Sequence, residues 1–113
     1  MKCSYILAGA LALLLVSADA FAIDFGDPAA GKDKASACFA CHGQGGNSTN
    51  PNFPKLAGQH ADYLLYALKA YKSGDRQNAI MNGQASKLSL TDMKDLAAYF
   101  ASQQSNLQTL SRD

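Results

Sequence analysis

Three stretches of the chain carry apolar residues at helical spacing, and one long stretch between them carries none. The first helical stretch opens at Asp27-Pro28, where Asp is a good N-cap and Pro is favoured at the first helical position. Ala29, Ala30, Lys32, Lys34, Ala35 and Ala37 then favour helix to about Cys41, with Gly31 the one weak position. Residues 43–58 are punctuated by Gly43, Gly45, Gly46, Pro51, Pro54 and Gly58 and read as loop. A loop that long in a small domain is usually functional. The second helix is expected over about 59–72, because Ala61, Leu64, Leu65, Leu68 and Tyr71 share one face, with Gly74 as its stop. Residues 74–88 read as polar and irregular apart from Ala79-Ile80-Met81. Ser89 with Asp92 makes a capping box for a third helix, whose stripe is Leu90, Met93, Leu96, Ala97 and Phe100. Residues 102–113 read as a frayed polar tail.

The beginning of the chain follows a different rule. Lys2 precedes an unbroken apolar stretch of twelve, Tyr5 to Val16, and Ala20-Phe21-Ala22 follows. That is the layout of a secretory signal peptide over residues 1–22, with cleavage after Ala22 and Ala18-Asp19-Ala20 as a second site. Twelve apolar residues are too few for a membrane span of about 20. The remainder, residues 23–113, is expected to form one exported domain in a bacterial periplasm, with no membrane insertion once the signal is gone. Cys3 leaves with the signal.

Removing that segment changes the composition. Of 113 residues 48% are apolar, but residues 1–22 hold 17 of those 54. The rest contains no Val and few β-branched residues, which excludes sheet architectures and leaves an all-α fold. Its large apolar side chains are too few for a self-sufficient core, so a metal, a disulfide set or a cofactor is expected to add to it. A net charge of +1 offers no pull toward nucleic acid.

Cys38-Phe39-Ala40-Cys41-His42 is a C-x-x-C-H pentad, the attachment signature of a c-type haem. On a helix the two Cys face one side, so each thiol can add to one haem vinyl group, and the adjacent His can reach the iron. A thioredoxin-like redox pair would follow a strand, and here an Ala/Lys helix precedes it. A zinc site needs about four ligands, and adjacent Cys41 and His42 make poor geometry for one. Haem c, one per chain and covalent through Cys38 and Cys41, is the expected cofactor.

The pentad, followed by Pro54-Lys55-Leu56-Ala57-Gly58-Gln59, Leu88-Ser89-Leu90-Thr91-Asp92 and Leu96-Ala97-Ala98-Tyr99-Phe100, resembles the class I c-type cytochromes. More narrowly it is similar to one half-domain of the bacterial dihaem c-four group, or to a single-haem relative. The resemblance covers about residues 27–103, the expected ordered core. It implies the small class I cytochrome fold, with three main helices plus loops wrapped around one covalent haem. It also implies a second axial ligand from a Met in the C-terminal half. Met81 is preferred over Met93, because Met93 belongs to the apolar stripe and Met81 has no periodic core role. His60 is the outside candidate. The resemblance further assigns the Pro54 carbonyl, 12 residues beyond His42, to the ring N–H of that His, with Pro51 as the fallback. The iron ligands are thus expected to be His42 and Met81.

Function follows from this set as an expectation. The chain would be a monomeric periplasmic electron carrier between a membrane quinol–cytochrome c reductase and a terminal oxidase or reductase. The alternative is a haem subunit or ligand-sensing haem domain of a larger redox complex. The Asp residues show no paired arrangement and no nearby base, so no enzyme activity is expected. The Lys residues, spread along the chain and mixed with Asp, read as solvated surface, with a docking ring around the haem edge as the rival. Phe39, inside the pentad, is expected to face outward.

Overall fold

The computed structural model describes residues 25–107. The signal expected at residues 1–22 and the last residues of the tail lie outside them. Among the described residues the regular elements are all helical: α1 (Pro28–Lys34), α2 (Ser36–His42), a 3-10 turn (Gln44–Gly46), α3 (Ala61–Ser73), α4 (Ala79–Ser86) and α5 (Leu90–Ser102). None of these helices is long and apolar enough to cross a membrane.

The expected first helix is divided. Asp27 caps α1 by accepting from the Ala29 N–H at 2.8 Å, and Pro28 stands at its first turn. The chain then bends at Ala35, which is completely buried, and α2 carries the pentad. The bend lets α1 lie against α5 while α2 turns toward the loop that follows it.

The α1–α5 crossing is very close. A Cβ on Gly31 would stand 2.0 Å from the Asp95 carbonyl oxygen and 2.8 Å from the Tyr99 Cβ. The weak helix former of the sequence is therefore the point where two backbones meet. Asp95 also ties both ends of α1 to α5. Its buried carboxylate accepts from the Asp27 N–H at 2.8 Å and from the Lys34 ammonium at 2.6 Å. Lys34 pairs with Asp92 as well, at 2.8 Å. The Asp27 amide and then Lys34 hold the Asp95 carboxyl below its ordinary value. Lys34 and then Ser89 hold Asp92 well below the usual carboxylate range.

Helix α5 starts on the expected box. Ser89 Oγ accepts from the Asp92 N–H at 3.0 Å, and Asp92 Oδ2 accepts from the Ser89 N–H at 2.9 Å. Its buried face is Met93, Leu96, Ala97, Tyr99 and Phe100, whereas Leu90, expected in the stripe, is 53% exposed. Leu90 is the first helical residue, and its side chain stands at the rim of a groove between α3 and α5. Helix α3 ends at Gly74, whose φ of 87° supplies the left-handed cap.

Two further sequence expectations are corrected. Residues 79–86, read as irregular apart from Ala79-Ile80-Met81, form α4. Its apolar signal is weak, and the Asn78 cap and packing on α3 supply what periodicity did not show. Residues 103–107, read as frayed, are held against the loop of residues 43–58. Asn47 Nδ2 donates to the Gln104 carbonyl at 2.9 Å, and Asn47 Oδ1 accepts from the Asn106 N–H at 2.9 Å. The Lys55 ammonium donates to Asn106 Oδ1 at 2.6 Å, and the Gly58 N–H to the Phe100 carbonyl at 2.9 Å.

The core is thin, as the composition implied. Ala35, Ala57, Ala70, Ala85 and Ala97 are half of its buried apolar residues, and no large side chain in the described chain is completely enclosed. Cys38, Phe39, Leu56, Leu65, Leu68 and Leu88 border it and are only partly buried.

Candidate functional site

Helix α2 is seven residues long, so Cys38, Cys41 and His42 share its last turns. Its end is set by Gly43, which leaves helical space at φ 77° and starts the loop. Both cysteines are half-buried. Burial, with a smaller contribution from Cys41, pushes the Cys38 thiol up from its ordinary value. A redox-active C-x-x-C needs the opposite shift, toward thiolate. The raised value counts against Cys38 as an exchange nucleophile.

His42 is buried, and its Nδ1 lies 2.8 Å from the Pro54 carbonyl oxygen. A carbonyl can only accept, so Nδ1 is the donor, and the neutral ring with that proton offers Nε2 to a metal. That is the tautomer an iron ligand requires. The contact is made by Pro54 and not by Pro51, the fallback. Phe53 closes on the same ring edge-to-face, with centroids 6.5 Å apart.

The loop is built to hold Pro54 in place. The Gly46 carbonyl accepts from Leu56 at 2.8 Å and from Ala57 at 3.2 Å. Gly46 has φ 82°, and a Cβ there would stand 2.8 Å from the Phe100 ring and 2.9 Å from the Ala57 nitrogen. A tight loop on one side and the Asn47 brace on the other fix the carbonyl that orients His42.

Met81 lies elsewhere, half-buried in the first turn of α4. Met93 is 4% exposed in α5 and floors the α3–α5 groove with Lys69, Lys72 and Ser73. Its core role matches the expectation. His60 is exposed at the start of α3. Phe39 does not face outward. Its ring packs on Tyr99 and Phe100, at 6.2 and 6.4 Å between centroids, because the bend at Ala35 turns that side of α2 to the core.

The residues present fit a haem. Two thiols and one imidazole of the right tautomer stand on one short helix, and Cys38 borders a cluster of partly buried apolar side chains. Among the described residues no three His, Cys, Asp or Glu side chains gather as ligands for a bare metal ion. Sequence reasoning missed Phe53, Asn47 and Asn82, whose partners lie beyond local patterns.

Fold and site together define a small all-α domain that carries one haem on a C-x-x-C-H helix. The cytochrome c family model matches residues 28–104, and the chain belongs to that family. It is 55% identical over 78 residues to cytochrome c4 of Pseudomonas aeruginosa, covering 69% of this chain and 39% of that protein. It is 46% identical over 82 residues to cytochrome c-554(548) of Halomonas halodenitrificans, covering 70% of this chain and 99% of that protein. The reduced recombinant cytochrome c4 of Pseudomonas stutzeri has a similar structure, with a TM-score of 0.69 and 45% identity over 73% of this chain and 48% of that one. The chain thus spans less than half the length of the cytochrome c4 relatives it matches. Its cofactor is covalent haem c, held by Cys38 and Cys41, and its general role is electron transfer.

Proposed function

We propose that this chain is an exported, periplasmic single-electron carrier whose haem iron is held by His42 on one side and Met81 on the other. The observation that carries this reading is the 2.8 Å contact from His42 Nδ1 to the Pro54 carbonyl, which leaves Nε2 as the ligating nitrogen. Haem c supplies a one-electron Fe(II)/Fe(III) couple. The chain's residues do the rest. Cys38 and Cys41 fix the group covalently, and Pro54 fixes the imidazole. Met81 offers a soft, neutral thioether, which raises the reduction potential relative to a second His. With His42 and Met81 both holding the iron, oxygen and substrates would be kept from it, and the group would supply electron transfer without binding either. The single domain, residues 23–113, is the carrier, and respiratory reductases and oxidases are its partners.

The test is a pair of variants in the haem-loaded protein. Met81→Ala should lose the far-red charge-transfer band of Met–iron ligation and let the ferrous form bind carbon monoxide. Met93→Ala should mainly lose stability. A spectral change that follows Met93 instead sinks the ligand assignment.

A further inference from the structure

Asn82 follows Met81 in the first turns of α4, and its side-chain amide is completely engaged. Nδ2 donates to the Tyr71 carbonyl at 2.7 Å and to the Arg76 carbonyl at 2.9 Å, while Oδ1 accepts from the Asn78 N–H at 2.8 Å. Two carbonyls and one N–H leave the amide only one orientation that satisfies all three. Tyr71 is in the last turn of α3, where carbonyls lack helical partners. One side chain therefore joins the end of α3, the connecting loop and the start of α4.

Asn78 completes the frame. Its Oδ1 accepts from the N–H of Ile80 at 3.1 Å and from the N–H of Met81 itself at 3.0 Å. Helix α4 rests on α3 and is short, and a Cβ on Gly83 would meet nothing within 4 Å. The buried Ala85 seats the far end of α4, and the first turn, which holds Met81, is fixed by this polar frame. Such investment in an eight-residue helix needs a reason, and Met81 lies within it.

We propose that Asn78 and Asn82 are positioning residues that hold the Met81 thioether at the iron. The proposal rests on Met81 being the second axial ligand. Each residue acts through the backbone of α4 and touches no haem atom. Breaking the frame frees the first turn, and the sulfur then leaves the iron more often.

The experiment compares haem-loaded Asn82→Ala, Asn78→Ala, Asn78→Asp and Met81→Ala with the parent. It reads the far-red ferric band, carbon monoxide binding to the ferrous form, and thermal stability. Loss of the frame's hydrogen bonds should raise carbon monoxide binding about ten-fold in both Ala variants and weaken their far-red band. Asn78→Asp keeps every acceptor and should match the parent. If the Ala variants lose only stability, with parental band and parental resistance to carbon monoxide, the pair merely braces the fold and the proposal is overturned. Should Asn82→Ala fail to accumulate, Asn78→Ala against Asn78→Asp decides the same point. If Met81→Ala itself keeps the band, the ligand assignment falls and the positioning role falls with it, an outcome distinct from the first.

Discussion

Gly31→Ala is the most discriminating change the fold offers. In an exposed helix this substitution stabilises by about 0.5–1 kcal/mol, because Gly loses more backbone freedom on folding. At residue 31 the added methyl would lie 2.0 Å from the Asp95 carbonyl oxygen, far inside the 3.4 Å where ordinary contact begins. The obstructing atoms are backbone, so no side chain can rotate away. Helices α1 and α5 must separate, and the Asp95 bonds to Asp27 and Lys34 stretch with them. Overpacking costs about 1–3 kcal/mol, and rigid neighbours put this site at the upper end. A net loss of about 2 kcal/mol remains after the helix gain, or roughly 10 °C in Tm for a domain of this size. The assay is thermal and urea unfolding of the haem-loaded protein, followed by circular dichroism. Gly83→Ala is the internal control, because its methyl meets nothing and should raise Tm slightly. A Gly31→Ala midpoint at or above the parent's would refute the close crossing.

Acid should find the same clasp. Asp92 and Asp95 have folded-state pKa values below their unfolded ones, so their stabilisation is present above about pH 4 and fades as pH falls through the lower folded values. Asp95→Asn should therefore make Tm less dependent on pH in that acid range, and an unchanged slope would count against the clasp. Asn47→Ala removes both bonds to residues 104 and 106, and should lower stability by about 1–2 kcal/mol in urea unfolding. No change in midpoint would mean the strap contributes nothing.

Features spanning only a few residues were readable in advance. The pentad, the Asp27-Pro28 start and the Ser89–Asp92 box depend on neighbours within one helical turn or so, and local spacing carries them. The loop of residues 43–58 was also legible, because Gly and Pro break any period. The Pro54 contact to His42 was reached through family resemblance, and the geometry places Pro54 there at 2.8 Å.

Other features needed distant partners. Helix α4 escaped notice because it carries no apolar stripe, and the Asn82 amide that anchors it reaches back to Tyr71. The strap of residues 103–107 looked frayed because polar side chains carry no periodic signal until Asn47, 57 residues away from Gln104, supplies the partner. Phe39 was turned inward by a bend at Ala35 that no propensity scale marks. Gly31 shows the division most clearly. Its helix could be read from its own few residues, but the reason it must be glycine is the carbonyl of Asp95, brought within reach only when α1 folds across α5.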